Sequence, residues 1–295
     1  MENEKIIYAL GFFDGVHRGH QALITACRHL AKENNYLAGV VTFDTHPETL
    51  VAGHAPALIN TVEDRTRLLL SYQISEILLL PFDEDLRNLP WQDFLNMLLE
   101  KGAGGFVCGD DFRFGYRGEG NADKLADFCR QRQLPWAVVP AQNLGSTRIS
   151  STHIRQLLEA GEMAQAVEFL GHPHILCGPV VSGKQLGRTI GTPTANLLLP
   201  PEVVCPRYGV YACQTVIDGT PSMAVTNIGT RPTVDGDHVT VEAWVLDFDG
   251  DLYGQYLPLY FYQFLRPEKK FNSLAELQEE IQKNAEETRK IFTES

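Results

Sequence analysis

The chain contains no run of about 18 apolar residues, which excludes a membrane-crossing helix of ordinary length. Its polar start, MENEKIIYAL, lacks the basic region and apolar stretch of a secretory signal, so a cytoplasmic protein is expected. Cysteine is sparse and scattered: Cys27, Cys108, Cys129, Cys177, Cys205 and Cys213 form no C-x-x-C pair and no zinc spacing, and they read as reduced, mostly buried thiols. Basic residues are outnumbered 25 to 37, and the net charge of −12 argues against nonspecific nucleic-acid binding. It does not argue against a phosphate-bearing small ligand, which a few backbone N–H groups and one or two cations hold in a cleft. There is no internal repeat and no low-complexity segment, and SGKQLG (182–187) is not a P-loop. No residue pattern specifies an oligomeric state or a macromolecular partner.

What is present divides in two. At 295 residues and 44% hydrophobic content, the chain supports two cores. In the first half, IIYALGF (6–12), LAGVVTF (37–43), EILLLPF (76–82), GFVCG (105–109) and WAVVPA (136–141) read as strands buried on both faces. Residues 19–32, 61–72, 90–101 and 121–132 read as helices between them, one opened by Thr61 with Asp64 three residues on. The βαβα order predicts a Rossmann-like parallel sheet covered by helices. Two short helices follow over 150–170, ended by Gly171 and Pro173. Beyond His174 the texture turns β-branched and aromatic, in 208–217, 222–229, 239–248 and 255–264, with no helix until Ser273. An antiparallel β-barrel or sandwich with one closing helix is expected, and the domains are placed at 1–172 and 173–295.

The stretch GFFDGVHRGHQ (11–21) stands at the carboxyl end of the first strand and leads into a helix, where open α/β sheets bind ligands and helix N-termini face anions. Glycines admit a phosphate close to the backbone, and His17 and His20 share one face of the first turn, so both point at one polyphosphate. Gly11, Phe13, Asp14, Gly15, His17, Gly19 and His20 together arise by chance on the order of once in a billion starting positions at average usage. In the second half, Glu242 is the one carboxylate within VTVEAWVL, a place where an acid is locally unfavourable. Either a general base or a water-facing residue on an edge strand would account for it.

The 11–21 stretch resembles the H-x-G-H signature of nucleotidyltransferases. With TFDTHPE (42–48), GDDFRFG (109–115) and RISSTHIRQLLEAGEMAQA (148–166), it is similar to the FMN adenylyltransferase module of bacterial bifunctional riboflavin kinase/FAD synthetases. GRTIGTPTANL (187–197), YGVYA (208–212), NIGTRPT (227–233) and VEAWVLDFDGDLYG (241–254) resemble the kinase half of the same enzymes. The resemblance implies ATP, riboflavin and FMN as substrates, FAD as product and Mg²⁺ as cofactor. It places Gly11, Phe13, Asp14, Gly15, His17, His20, Arg148, Ser151, Thr152 and Arg155 around ATP in the adenylyltransferase, and His46, Asp111 and Arg231 around flavin. On the kinase side it implies Gly183, Lys184, Gly187, Arg188 and Gly191 as an ATP loop, Thr194 and Asn196 as Mg²⁺ ligands, and Glu242 as general base. From the residues alone, Ser150 and Ser151 also fit a helix N-cap, and Asp111 a solvated loop carboxylate.

The pattern departs from the family at Thr45, where a proline usually precedes His-Pro. The aromatic stretch YLPLYFYQF reads as barrel core or as a flank for the isoalloxazine ring. The rival functions are an adenylyltransferase for another mononucleotide and a paralogue with one active domain that binds flavin as a regulator or sensor. The two complete motif sets favour the bifunctional enzyme.

Overall fold

A computed structural model describes residues 4–52, 56–182, 191–233 and 236–293. The chain divides into two units, one formed by Met1–Leu58 with Arg65–Ser151, the other by Ile59–Asp64 with Thr152–Ser295.

In the first unit, five short apolar strands, β1 (Ile6–Leu10), β2 (Leu37–Phe43), β3 (Glu76–Leu80), β4 (Ala103–Gly109) and β5 (Trp136–Val139), form a parallel sheet in the order β3-β2-β1-β4-β5. The helices α1 (Arg18–Asn34), α2 (Pro47–Ala52), α3 (Val62–Ser71), α4 (Glu84–Asn88), α5 (Trp91–Glu100) and α6 (Ala122–Arg132) lie between the strands in sequence. This is a doubly wound order whose direction of winding reverses between β1 and β4. The β1 run IYAL is buried throughout because helices cover both faces of the sheet. A core of Tyr8, Leu95, Leu98, Phe106 and Leu125 lies on one side, and each such fully buried side chain stabilises the fold by about 1.5–3 kcal/mol. Gly105 is dictated by packing, since a Cβ there would overlap the carbonyl oxygen of Pro135. The expected strands and long helices are found within a few residues. The one-turn helices α2 and α4 were not expected, because neither is long enough to show a helical period.

The segment after β5 forms a small antiparallel pair, β6 (Asn143–Leu144) with β7 (Thr147–Arg148), before α7 (Ser151–Ala160) and α8 (Met163–Leu170). Gly171 caps α8 in the left-handed conformation, as its sequence position predicts.

The second unit holds a six-stranded sheet of β8 (His174–Pro179), β9 (Ala195–Leu198), β10 (Gly209–Ile217), β11 (Thr220–Thr233), β12 (Gly236–Val245) and β13 (Tyr256–Arg266). The strands run β8-β13-β10-β11-β12-β9, and every pairing is antiparallel. Val181, just past β8, donates its N–H to Asn196 in β9 at 2.8 Å, so the two outer strands meet and the sheet curls into a near-closed barrel. Alternate residues fill its interior, among them Tyr211, Cys213, Ala224, Val241, Ala243, Leu259 and Phe261. YLPLYFYQF is therefore barrel wall, with Leu257, Leu259 and Phe261 inside. The closing helix α9 (Leu274–Thr293) packs on β10 and β11 through Ala285, and Arg266 ties it down through Asn284 (3.1 Å) and Glu280 (3.2 Å). Among the described residues no helix is long and apolar enough to cross a membrane.

Candidate active sites of the two units

At the switch point, the backbone between β1 and α1 is strained. Phe13 (φ 59°), Gly15 (φ 77°) and even the β-branched Val16 (φ 39°) have positive φ, a conformation that side-chain-bearing residues enter only where the surroundings impose it. Gly15 meets that demand at no steric cost, while Phe13 and Val16 are held by complete burial. The bend delivers His17 as the N-cap of α1. His17 Nδ1 accepts the backbone N–H of His20 at 3.3 Å, which leaves the proton of the neutral ring on Nε2, a donor. The rings of His17 and His20 stack with centroids 3.6 Å apart and 12° between planes. Gly19 leaves room for this, because a Cβ there would stand 3.1 Å from His17 Cε1. His20 titrates well below an ordinary imidazole, first because it is buried and then because His17 and Arg65 lie close. It is a neutral hydrogen-bonding group, and among the described residues its Nδ1 has no partner.

The two histidines line a cleft of about 440 Å³, together with Gly11, Asp111, Gln142, Arg148 and Ser151. Arg148 and Asp111, expected to face ligand separately, form an exposed ion pair with each other. Ser151 donates its hydroxyl to the carbonyl of Asp14 at 3.0 Å, so it braces the strained bend. Thr152 and Arg155 fall in the second unit, where Arg155 donates to Thr152 Oγ1 at 3.3 Å.

A second cleft of about 960 Å³ was not read from the sequence. Phe12, Phe43, Phe82, Phe94, Phe112 and Phe114 line it, with Arg113 and Arg117 among its polar residues. Phe12 and Phe112 belong to both clefts. Pro47 reaches this cleft, whereas His46 stands behind it, edge-on to Phe12 (ring centroids 4.6 Å), with its Nδ1 accepting the N–H of Glu48 at 3.2 Å. The His46 cap and Pro47 at the start of α2 order the turn after Thr45 without a proline there.

In the barrel, β12 pairs with β11 on one side and β9 on the other, so Glu242 is not on an edge strand. It stands directly opposite Asn227 and Asn196, and partners opposite one another project from the same face. This places Asn196, Glu242 and Asn227 in one row, partly open to solvent at Glu242. Asn196 is buried, its amide N–H₂ donates to the carbonyl of Thr194 at 3.2 Å, and its Oδ1 has no partner among the described residues. Asn227, within the NIGTRPT motif, carried no assigned role; only strand register brings it beside Glu242. Gly191 is exposed with φ 75°. Gly183, Lys184, Gly187 and Arg188 lie outside the described residues, as does the side chain of Arg231, whose backbone pairs with His238.

Comparison with known proteins covers nearly the whole chain. The FAD synthetase family matches residues 1–153 and the riboflavin kinase family residues 170–292. A bifunctional riboflavin kinase/FMN adenylyltransferase of Pseudomonas fluorescens is 37% identical over 292 residues, 95% of this chain and 91% of that protein. The corresponding protein of Escherichia coli (strain K12) is 36% identical over 295 residues, covering 98% and 93%. That of Listeria monocytogenes is 33% identical over 290 residues, covering 97% and 92%. The crystal structure of a macrolide-efflux protein from Streptococcus pneumoniae superimposes with a TM-score of 0.87 at 30% identity, over 98% of this chain and 95% of that one.

A doubly wound unit with paired histidines at its switch point, joined to a barrel with a carboxylate–amide row, defines a two-part ATP-dependent transferase. The chain belongs to the family of bifunctional riboflavin kinase/FMN adenylyltransferases. It is an enzyme of FMN and FAD formation, carrying both a riboflavin kinase and an FAD synthetase domain.

Proposed function

We propose that the adjoining clefts of the first unit hold the two substrates of adenylyl transfer, ATP with its triphosphate at His17, His20 and the N-terminus of α1, and FMN with its ring among the phenylalanines. One observation carries this reading: a cleft with a stacked imidazole pair and an aromatic cleft of about 960 Å³ share Phe12 and Phe112. An FMN phosphate oxygen attacks the α-phosphorus of ATP, the bond to the β-phosphate breaks and pyrophosphate leaves. No protein nucleophile is needed, so catalysis rests on positioning and on spreading charge; positioning alone supplies roughly 7–11 kcal/mol of barrier reduction. Neutral His17 and His20 donate hydrogen bonds to phosphate oxygens at the N-terminus of α1, whose dipole favours an anion. Arg148 and Asp111 must part to serve ligand, the arginine toward phosphate and the aspartate toward nucleotide or flavin. His46 serves flavin by bracing Phe12.

In the barrel, Glu242 accepts the proton of the riboflavin 5′-hydroxyl as its oxygen attacks the γ-phosphorus of ATP and ADP leaves. Asn196 Oδ1, a buried oxygen without a partner among the described residues, fits a hard cation, and Thr194 stands two residues away. These two would hold Mg²⁺, which when bound neutralises charge on the ATP phosphates. Gly183, Lys184, Gly187, Arg188 and Gly191 are assigned to the ATP loop, and Arg231 to flavin. The adenylyltransferase domain is drawn at 1–172 and the kinase domain at 173–295. A cytoplasmic location suits its six free thiols, five of them buried.

The test is a chromatographic assay with ATP and Mg²⁺, giving riboflavin in one tube and FMN in another. FMN and FAD from the first and FAD from the second support the assignment. Conversion of only one substrate leaves one domain as a regulator or sensor.

A further inference from the structure

Arg65 is the largest completely buried side chain among the described residues, and no sequence motif marks it. It sits on α3 beneath the carboxyl ends of β1 and β2. Its Nη1 donates to the carbonyl of Phe12 at 3.0 Å and its Nη2 to the carbonyl of Phe43 at 2.5 Å. The guanidinium also lies 4.3 Å from the centroid of the Phe12 ring. Thr42 adds a third hold on the same residue, its hydroxyl donating to the Phe12 carbonyl at 2.8 Å. Burial drives the guanidinium pKa down to about 10, against the opposing pull of Asp14 and Asp44.

A buried cation is costly, and its Nε finds no acceptor among the described residues. An apolar side chain would fill the same volume without that cost, so the charge and the fork have a use that packing does not supply. The use is local. Phe12, with Phe112, is shared by the two clefts, and it directly precedes the left-handed bend that delivers His17 and His20. A planar fork with two parallel N–H donors is the side chain that joins two strand-end carbonyls; an ammonium group reaches one with comparable geometry.

We infer that Arg65 is a positioning residue for adenylyl transfer, fixing Phe12 and the bend behind it so that the contents of the two clefts meet in line. This rests on the reading of those clefts as the transfer site. It touches neither substrate, and its effect falls on turnover, because misplacing reacting groups by about 1 Å costs on the order of 100-fold.

The experiment compares Arg65→Met and Arg65→Lys with wild type in FAD formation from FMN, at a temperature below the unfolding transition of each. Arg65→Met is expected to lower kcat about 100-fold with smaller changes in KM for ATP and FMN, Arg65→Lys to recover part of it, and riboflavin phosphorylation to stay at the wild-type rate. A merely structural arginine would lower the melting temperature and leave kcat intact while folded. Should Arg65→Met not fold, Arg65→Lys decides: a wild-type kcat with only a lowered melting temperature overturns the inference. His20→Ala separates the two levels. If it leaves FAD formation intact, the site reading itself fails; if it abolishes FAD formation while folded Arg65 variants keep wild-type kcat, only the positioning role fails.

Discussion

The imidazoles of His17 and His20 lie face to face, 3.6 Å between centroids, with one buried and spent on capping the helix and the other half-buried and uncharged. Two cationic rings could not stack at that distance without repulsion, so the proposed phosphate site rests on the pair as neutral hydrogen-bond donors rather than as a positive patch. His20→Ala should therefore reduce FAD formation from FMN by about 10²–10³-fold, the cost of one lost charge-stabilising donor, and leave FMN formation unchanged.

The depressed titration of His20 has a spectroscopic sign. In the folded, ligand-free protein its ring should remain neutral from pH 8 to 6 in long-range ¹⁵N–¹H NMR spectra; imidazolium shifts at pH 7 would contradict the burial argument.

Phe112 stacks on Phe114 at 5.6 Å and 19° and lines both clefts of the first unit. Loss of one aromatic platform costs about 1–3 kcal/mol of ring binding. Phe112→Ala should raise the KM for FMN in adenylyl transfer by about tenfold or more and leave the KM for riboflavin in the kinase reaction unchanged, as initial-rate kinetics would show.

Glu242 faces Asn196 and Asn227 across the strands on either side. Glu242→Gln keeps the shape of the row and removes the proton acceptor, so FMN formation should fall by about 10²–10⁴-fold with FAD formation from FMN intact. A fall confined to the KM for riboflavin would make Glu242 a binding group.

His174 is wholly buried at the start of β8, and among the described residues neither of its ring nitrogens has a partner. Burial, reinforced by His172, lowers its pKa to about 3, below the value near 6.5 of an unfolded chain. The folded state thus binds fewer protons, and stability present above pH 6.5 is lost as pH falls toward 3, by up to ~1.4 kcal/mol per pH unit. His174→Phe, beside Phe261, should shift the acid-unfolding midpoint of the barrel to lower pH, measured by circular dichroism. An unchanged midpoint would mean that another group limits acid stability.

Legibility followed range along the chain. The parallel strands, the long helices and the His17–His20 turn are local patterns, and periods of 2 and 3.6 with their caps reveal them. The aromatic cleft gathers Phe12, Phe43, Phe82 and Phe112 from four separate segments, and each reads singly as core. Arg65 looks like an ordinary charge on a helix, since only the fold shows that two strand-end carbonyls wait beneath it. Asn227 joins Glu242 through register, and register between distant strands is not written in either one. Ser151 and the Asp111–Arg148 pair line one cleft with His17 and His20 but hold each other or the backbone, because the sequence names residues suited to a ligand and not their partners without one.

The central claim is two independent active sites on one chain. Purified His20→Ala and Glu242→Gln proteins, each given riboflavin, ATP and Mg²⁺, test it in one chromatogram. The first alone should stop at FMN, the second alone should leave riboflavin unchanged, and the mixture should form FAD. FAD from either variant alone, or none from the mixture of two folded proteins, would contradict it.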